Sequence, residues 1–256
     1  MMKTLTKYLM VLLLSSFARG VEFRVAAYNI KHGQGMDKKI DLKRTAEVIA
    51  GMKADVVTLQ EVDKNCARSG KQDIAAELAK LLKMDYRFGP SFPYDGGEYG
   101  LAVLSRLPIL GMKQHKLPGG SEPRTALEVQ VKIEGVKEPV SVVSIHNDWV
   151  SNEVKVGQVK ALLNGLAEVK HPVVLAGDFN ALPGEDSMKI LAEKGWTILD
   201  KKGVKTCPAD EPTKEIDYIV TRGLPWKIKE HKVVEEKVAS DHRPIYAVWE
   251  IPAGGS

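Results

Sequence analysis

The stretch His171-Pro-Val-Val-Leu-Ala-Gly-Asp-Phe-Asn-Ala-Leu-Pro183 decides how this chain is organised. Its apolar run from Val173 to Ala176 is typical of a fully buried strand. Since side chains two residues apart in an extended chain point to the same face, Asp178 and Asn180 are predicted to project together, with Phe179 turned towards packing. A carboxylate beside an amide suits a divalent cation, or a water held against a phosphorus centre. An Asx-turn explains the same two residues equally well, so this stretch alone leaves both interpretations open.

Polar side chains end several other predicted strands in the same way. Each has a local explanation, such as a turn cap, a solvated acid or a buried core histidine. The ends of strands in an α/β sandwich share one rim, where loops build binding and catalytic sites, so these side chains are expected to converge. Several acids and two histidines at one place could bind a metal ion and act as general acids and bases. The residues are Asn29, Glu61, His146 with Asp148, Asp217, and Asp241 with His242.

The composition describes a globular chain with little excess charge. It has 256 residues, of which 44% are hydrophobic, which predicts one large domain. The formal net charge is +4, but Lys3, Lys7 and Arg19 lie in the first twenty residues, which contain no acid. Subtracting these three charges leaves +1 for residues 21–256. Such a chain lacks the strong basic field that binds a polyanion.

The first twenty residues are predicted to be a cleaved signal peptide. A basic start precedes a short apolar core from Tyr8 to Leu14, and small residues follow it. The apolar core is far below the roughly 20 residues that a membrane span needs, so no transmembrane segment is expected. The sequence therefore predicts an extracytoplasmic protein, periplasmic or secreted. Residues 21–256 would form its single domain, with a disordered tail at 252–256.

Hydrophobic periodicity predicts helices separated by runs of strands. The strand from Asp55 to Gln60 is expected to end at Glu61. The predicted helices run from Asp41 to Lys53, Gln72 to Lys83, Asn152 to Val169 and Asp186 to Lys194.

An ordered set of short motifs spans Phe23 to Ile251 and resembles the endonuclease/exonuclease/phosphatase superfamily, whose fold is like that of DNase I. The resemblance implies an α+β, four-layer α/β/β/α sandwich: two mixed β-sheets packed face to face, with helices outside. The motifs are Tyr28–Ile30, Leu59–Asp63, Gly100–Arg106, Pro123–Leu127, His146–Asp148, Gly177–Asn180, Ile216–Ile219 and Ser240–Pro244.

The same resemblance implies a role for each candidate residue. Glu61 is similar to the principal Mg²⁺ ligand of the family, with Asn29 and Asp241 close to the ion and Mn²⁺ as an alternative metal. Asp178 and Asn180 correspond to the pair that orients the attacking water and holds the phosphate. Asp217 corresponds to the acid that pairs with His242, the histidine next to the scissile phosphate. His146 matches a second histidine in contact with phosphate, and Arg124 a binder of substrate phosphate.

The predicted activity is therefore metal-assisted hydrolysis of a phosphoester by direct attack of water. This agrees with the physical needs of the reaction: neutralised phosphate oxygens, an in-line water and oxygen ligands for a hard cation. No Ser or Cys lies in a recognisable nucleophile context, so a covalent intermediate is not expected. Many family members have Asn where this chain has Leu101, between Gly100 and Ala102. Leu101 cannot replace the hydrogen bonds of an amide, and this leaves the substrate type open.

Several substrates and two other functions remain open. A small phosphodiester, a sugar or inositol phosphate, or a phospholipid headgroup fits the near-neutral charge of residues 21–256 better than nucleic acid does. A nonspecific nuclease, and a catalytically inactive binding module on the same fold, are the alternatives. A monomer is expected.

The chain has two cysteines, Cys66 and Cys207. Neither has the spacing of a zinc site. If both flanking loops lie at the same rim, export to an oxidising compartment predicts a disulfide between them, with two unpaired thiols as the alternative.

Overall fold

The structure is a computed structural model that describes residues 21–252. The predicted signal peptide and residues 253–256 of the predicted tail lie outside this range. Four α-helices and twelve strands are present in the described residues. The helices are α1 (Leu42–Met52), α2 (Ile74–Leu82), α3 (Asn152–Gly165) and α4 (Asp186–Glu193). The strands are β1 (Val21–Asn29), β2 (Val56–Lys64), β3 (Asp85–Tyr94), β4 (Gly97–Ser105), β5 (Ile109–Leu117), β6 (Arg124–Val131), β7 (Val140–His146), β8 (Val173–Asp178), β9 (Thr197–Ile198), β10 (Asp217–Arg222), β11 (Lys227–Val233) and β12 (Ile245–Ile251).

The strands form two six-stranded sheets. The first has the order β11-β12-β1-β2-β4-β3, and the second has the order β5-β6-β7-β8-β10-β9. Each sheet is mixed, because β1 pairs with β2 and β7 pairs with β8 in parallel, while the other neighbours are antiparallel. The fold prediction of two mixed sheets is confirmed.

Three apolar clusters show how the layers stack. The central cluster, which includes Phe23 of β1 and Leu127 of β6, draws its side chains from both sheets. A second cluster joins the outer face of the first sheet to α1 and α2. A third joins the outer face of the second sheet to α3 and α4. Strands buried on both faces read as continuous apolar runs, which is why β8 has no polar alternation before Gly177.

The helices begin where the sequence supplies an N-cap. The side chains of Asp41, Asp73 and Ser151 accept hydrogen bonds from backbone N–H groups in the first turns of α1, α2 and α3. The helix predicted to run to Val169 ends at Gly165 instead, and the chain from Leu166 to Val169 forms turns. No helix within residues 21–252 is long and apolar enough to cross a membrane.

The strand predicted to end before Glu61 continues to Lys64. The pairing of β2 with β4 shifts register between Leu59 and Val62, and Glu61 has a positive φ of 57°. A β-bulge of this kind inserts an extra residue and re-aims a side chain without ending the strand. The bulge thus lets Glu61 leave the ladder while the sheet continues.

The predicted disulfide is wrong, since both cysteines carry free thiols. Cys66 is buried, and its Sγ points at the turn between β3 and β4, 3.2 Å from the carbonyl oxygen of Tyr94 and 3.4 Å from that of Glu98. Cys207 lies in a separate loop that folds back on Lys214. The Cys66 side chain is therefore directed into its own hairpin, and the bond cannot form without moving it.

Candidate active site

The register of the second sheet brings three candidate residues side by side. Asp178 at the end of β8 is directly opposite His146 of β7 on one side and Asp217 of β10 on the other. The loop before β12 adds His242, and the bulge in β2 adds Glu61. A cavity of about 280 Å³ is lined by Glu61, His146, Asp178 and His242, together with Asn180 and Arg124. Asp217 does not line it but pairs with His242.

The Asp178 carboxylate is the centre of this cluster. Its Oδ2 lies 3.2 Å from Asn29 Nδ2, 3.5 Å from His146 Nε2 and 3.7 Å from His242 Nε2. Its Oδ1 accepts a hydrogen bond of 2.8 Å from the backbone N–H of Asn180. The Asx-turn interpretation of the Asp-Phe-Asn sequence is confirmed for Oδ1, while Oδ2 is directed at the side chains around the cavity. Burial raises the pKa of Asp178 to about 7, which puts its proton transfer near neutrality.

His242 is held as a cation by a second carboxylate. Its Nδ1 donates to Asp217 at 2.9 Å and 3.2 Å from the two oxygens. Burial alone would lower the pKa of His242, but the charges of Asp217 and Asp178 outweigh it and raise the pKa well above its ordinary value. The protonated Nε2 is then a donor that faces the cavity.

His146 is held in the opposite state. Arg124 Nη1 lies 2.9 Å from His146 Nδ1, and an arginine only donates, so Nδ1 accepts and the ring proton is on Nε2. Burial and the positive charges of Arg124 and His242 lower the pKa of His146 well below its ordinary value. The site therefore pairs one cationic histidine with one neutral histidine, and both present an N–H towards Asp178.

Arg124 is itself buried and only partly satisfied. Its Nη2 lies 3.1 Å from Glu122, while Nε has no hydrogen-bond partner within the described chain and is 3.9 Å from the nearest Asp148 oxygen. A buried guanidinium N–H without a partner favours an anionic ligand.

Glu61 faces the same cavity, with Asn29 Nδ2 3.0 Å from its Oε1. Burial raises the pKa of Glu61, the amide of Asn29 opposes this shift, and the nearby charge of Asp241 adds to it. The Oδ2 of Asp241 lies 2.6 Å from Lys31 Nζ. The structure thus brings Asn29 and Glu61 together, and places Asp241 in an ion pair beside them.

The acids around the cavity fit a divalent cation. Burial raises the pKa of two carboxylates at the cavity, Glu61 and Asp178, and carboxylate oxygens are the ligands that Mg²⁺ prefers. One ligand atom each from Asp178, Asp217 and His242 lie within 4.8 Å of one another, which suggests a second possible metal position. A metal ion at this second position would have to displace the proton that His242 Nε2 carries when no metal is bound, since a metal ligand needs a free lone pair.

Sequence reasoning missed Lys31 and the role of Asp148. The signal for Lys31 was its place two residues after Asn29, but only the tertiary fold shows that it pairs with Asp241. Asp148 does not line the cavity: its oxygens accept from the backbone N–H groups of Ser121 and Val150, both at 2.8 Å. It ties together the two loops that flank Arg124 and His146.

Leu101 does not line the cavity. It is 2% exposed and packs in the apolar cluster between the sheets. The position at which the family resemblance implies an amide is part of the core in this chain.

Comparisons with known proteins give the family. The profile described as "Endonuclease/Exonuclease/phosphatase family" matches residues 26–242. A relative from Escherichia coli K12, described as "Uncharacterized protein YbhP", is 23% identical over 251 residues, which cover 88% of this chain and 95% of the relative.

Solved structures share the fold. A family protein from Bacteroides thetaiotaomicron has a TM-score of 0.76 at 18% identity, covering 90% of this chain and 98% of its own. A mannosyl-6-phosphatase from Bacteroides thetaiotaomicron VPI-5482 has a TM-score of 0.71 at 18% identity, covering 88% of this chain and 98% of its own. At such identities the likeness shows the fold alone.

Proposed function

The chain belongs to the endonuclease/exonuclease/phosphatase family, and we propose that it is a Mg²⁺-dependent phosphoester hydrolase in which water attacks phosphorus directly. The observation that carries this proposal is the arrangement around Asp178 Oδ2, which faces one cationic and one neutral histidine within 3.7 Å. A buried carboxylate with a pKa near neutrality is suited to take a proton from water.

The chain's own residues divide the work. Asp178 accepts the proton of the attacking water as the new P–O bond forms and the P–O bond to the alcohol breaks, and Asn180 beside it helps to hold water and phosphate. The leaving oxygen takes its proton from solvent water. His242 and His146 each donate from Nε2 to non-bridging phosphate oxygens, and Arg124 adds a fixed positive charge. Asp217 keeps His242 protonated and oriented.

Glu61, with Asn29 next to it and Asp241 nearby, would hold the divalent cation. When bound, such an ion polarises the phosphate and neutralises the charge that develops on it. Mg²⁺ suits an all-oxygen ligand set, and Mn²⁺ is the natural substitute in the same set.

The substrate is proposed to be a small phosphoester. The formal charge of residues 21–256 is near neutral, which argues against tracking a nucleic-acid backbone. The mannosyl-6-phosphatase with this fold supports a small phosphorylated substrate as a possibility for the fold. We further propose that the protein is exported with loss of residues 1–20 and acts as a monomer.

A substrate panel tests the function. Purified protein is assayed with DNA, sphingomyelin, sugar phosphates and p-nitrophenyl phosphodiesters, each with Mg²⁺ and with EDTA. Cation-dependent hydrolysis of a small phosphoester supports the proposal. Hydrolysis of DNA alone would favour the nuclease alternative, and no hydrolysis in the presence of Mg²⁺ or Mn²⁺ would favour a binding module.

A further inference from the structure

Three aromatic rings line one side of the cavity, and we call Phe92, Tyr94 and Tyr99 the aromatic wall. Phe92 lies 5.2 Å from Tyr99 and 6.0 Å from Tyr94 between ring centroids. All three belong to the hairpin of β3 and β4 in the first sheet. Tyr99 is buried at the inner end of the wall, while Tyr94 is 40% exposed at the outer end. The wall thus extends from the solvent towards the buried part of the cavity, which Glu61 and Asp178 also line.

An arginine that also lines the cavity packs against two rings of the wall and holds them in place. The guanidinium carbon of Arg68 lies 4.4 Å from the ring centroid of Tyr94 and 5.7 Å from that of Tyr99. Its Nε and Nη2 donate to the two oxygens of Asp63 at 2.8 Å and 2.7 Å. This is a bidentate ion pair with a fully buried carboxylate, and it fixes the orientation of the Arg68 guanidinium. The wall is therefore a preorganised surface.

A fourth ring, from the second sheet, lines the same cavity. Trp149 follows β7 of the second sheet and is 66% exposed, whereas the other three tryptophans are at most 7% exposed. The turn that carries it is closed by Asp148, which accepts from the N–H of Val150. An exposed tryptophan next to a catalytic cluster leaves a large apolar face without a partner in the described chain.

We propose that Trp149 and the aromatic wall form a clamp for a planar aromatic or heteroaromatic ring on the organic part of the substrate. This inference rests on the proposed function, since it assigns the specificity of the same site. Ring faces stack in offset or edge-to-face arrangements, and a flat ring between two aromatic surfaces satisfies both. The phosphoester of such a substrate would reach Asp178, at the inner end of the same cavity.

Two other ligand classes fit the clamp less well. A quaternary ammonium group seeks the faces of aromatic rings, but Arg68 already places a positive charge over Tyr94 and Tyr99. A sugar needs a hydrogen-bond partner for each hydroxyl, whereas the four rings of the clamp offer only ring faces, two tyrosine hydroxyls and one indole N–H. The other polar side chains of the cavity, such as Glu122 and Arg124, are not part of the clamp. Of the three classes, a flat ring is the one whose apolar faces match the ring faces of the clamp.

A matched pair of substrates tests the clamp by turnover. Benzyl methyl phosphate and cyclohexylmethyl methyl phosphate, with the corresponding monoesters, differ in ring planarity and little in size. Release of the alcohol is measured by chromatography with Mg²⁺ present. We expect kcat/KM to be about three- to tenfold higher for the benzyl ester, as aromatic stacking gives.

Variants of Trp149 test whether this residue causes the preference for the benzyl ester over the cyclohexylmethyl ester. Trp149→Ala should abolish it through a higher KM with kcat kept, and Trp149→Phe should retain most of it. Leu110→Ala, at an exposed apolar position on β5 outside the cavity, is the matched control and should leave the preference unchanged. Equal hydrolysis of both esters, unaltered in Trp149→Ala, overturns the clamp and leaves the proposed function standing. A Trp149→Ala defect confined to phospholipid vesicles would overturn it in favour of a membrane contact.

Binding of phosphonates, which are not hydrolysed, tests the clamp independently of the proposed hydrolase activity. Benzylphosphonate should change the intrinsic fluorescence of the wild-type protein, because Trp149 is its one well-exposed tryptophan among residues 21–252. Cyclohexylmethylphosphonate should bind more weakly, and Trp149→Phe should lose the signal. If neither phosphonate binds, the clamp is overturned even where hydrolysis occurs; if benzylphosphonate binds selectively and no ester is hydrolysed, the clamp stands and the proposed function falls.

Discussion

Nη1 of Arg124 lies 2.9 Å from Nδ1 of His146, and this contact fixes the tautomer of the histidine. The guanidinium has no lone pair to offer, so the imidazole accepts through Nδ1 and turns its Nε2–H towards Asp178. A single strand-end arginine thus decides which nitrogen of the neighbouring histidine faces the cavity.

Replacing Arg124 by Met should release this constraint. We expect kcat/KM to fall by roughly tenfold to hundredfold, because a buried charge and the orientation of His146 are lost together. The pKa of His146 should also rise, since the charge of Arg124 is one cause of its depression after burial. Nitrogen-15 NMR of the imidazole checks both points. A proton on Nδ1 in the wild-type protein would contradict the assigned tautomer.

Glu61→Gln should raise the concentration of Mg²⁺ required for hydrolysis, because it removes the carboxylate charge that the bulge in β2 turns into the site. Hydrolysis is measured against Mg²⁺ and Mn²⁺ concentration, after treatment with EDTA. Glu77→Gln, on α2 and outside the cavity, is the control for loss of a carboxylate. Full wild-type activity in EDTA would remove the metal from the mechanism.

Asp178→Asn and His242→Ala should each lower kcat by about two or more orders of magnitude, as the loss of a positioned proton acceptor or donor does. Both residues are buried, 1% and 7% exposed, but within a polar cluster, so the melting temperature should change little. Circular dichroism verifies the fold before kinetics are compared. A folded variant with near wild-type kcat would exclude that residue from the reaction.

The stability of the protein should fall as the pH decreases below about 6.5, and His231 is one cause. Its Nδ1–H donates to the Asp200 carbonyl at 3.0 Å, while the buried Nε2 has no hydrogen-bond partner. Burial lowers the pKa of His231 to about 4. In the interval from 6.5 down to 4 the unfolded chain binds a proton that the folded protein does not, so acid favours unfolding.

His231→Gln should reduce this pH dependence by about 1–2 kcal/mol between pH 7 and pH 5, allowing for the partial exposure of the contact. Urea unfolding at each pH gives the free energy. An identical pH dependence in the variant would show that His231 does not contribute.

Thiol titration tests the two free cysteines. Two thiols should react in the unfolded, unreduced protein. In the folded protein Cys207 should react first, because Cys66 is fully buried and burial raises the pKa of its thiol. If no thiol reacts before reduction, the two cysteines are not free and the disulfide hypothesis is supported instead.

Much of the fold was predictable because its signals are local. The apolar run of β8 and the capped amphipathic helices α1 and α2 depend on residues close together in the chain. The sequence also predicts that polar residues end the strands, and the register of β7, β8 and β10 then brings His146, Asp178 and Asp217 together. The local sequence pattern and the long-range strand register therefore both place these polar side chains at the same edge of the sheet.

The sequence by itself determined the layers, the family resemblance and the identity of the acids and histidines. Three features were decided only by the tertiary structure. Glu61 lies in a bulge of β2, Lys31 pairs with Asp241, and the Cys66 thiol points into its own hairpin, at the Tyr94 carbonyl. These features depend on contacts between residues far apart in the chain, such as the 210 positions that separate Lys31 from Asp241. Hydrophobic periodicity reports which face of an element is buried, but not which distant side chain it meets there, and that choice sets the charge and the proton positions of the site.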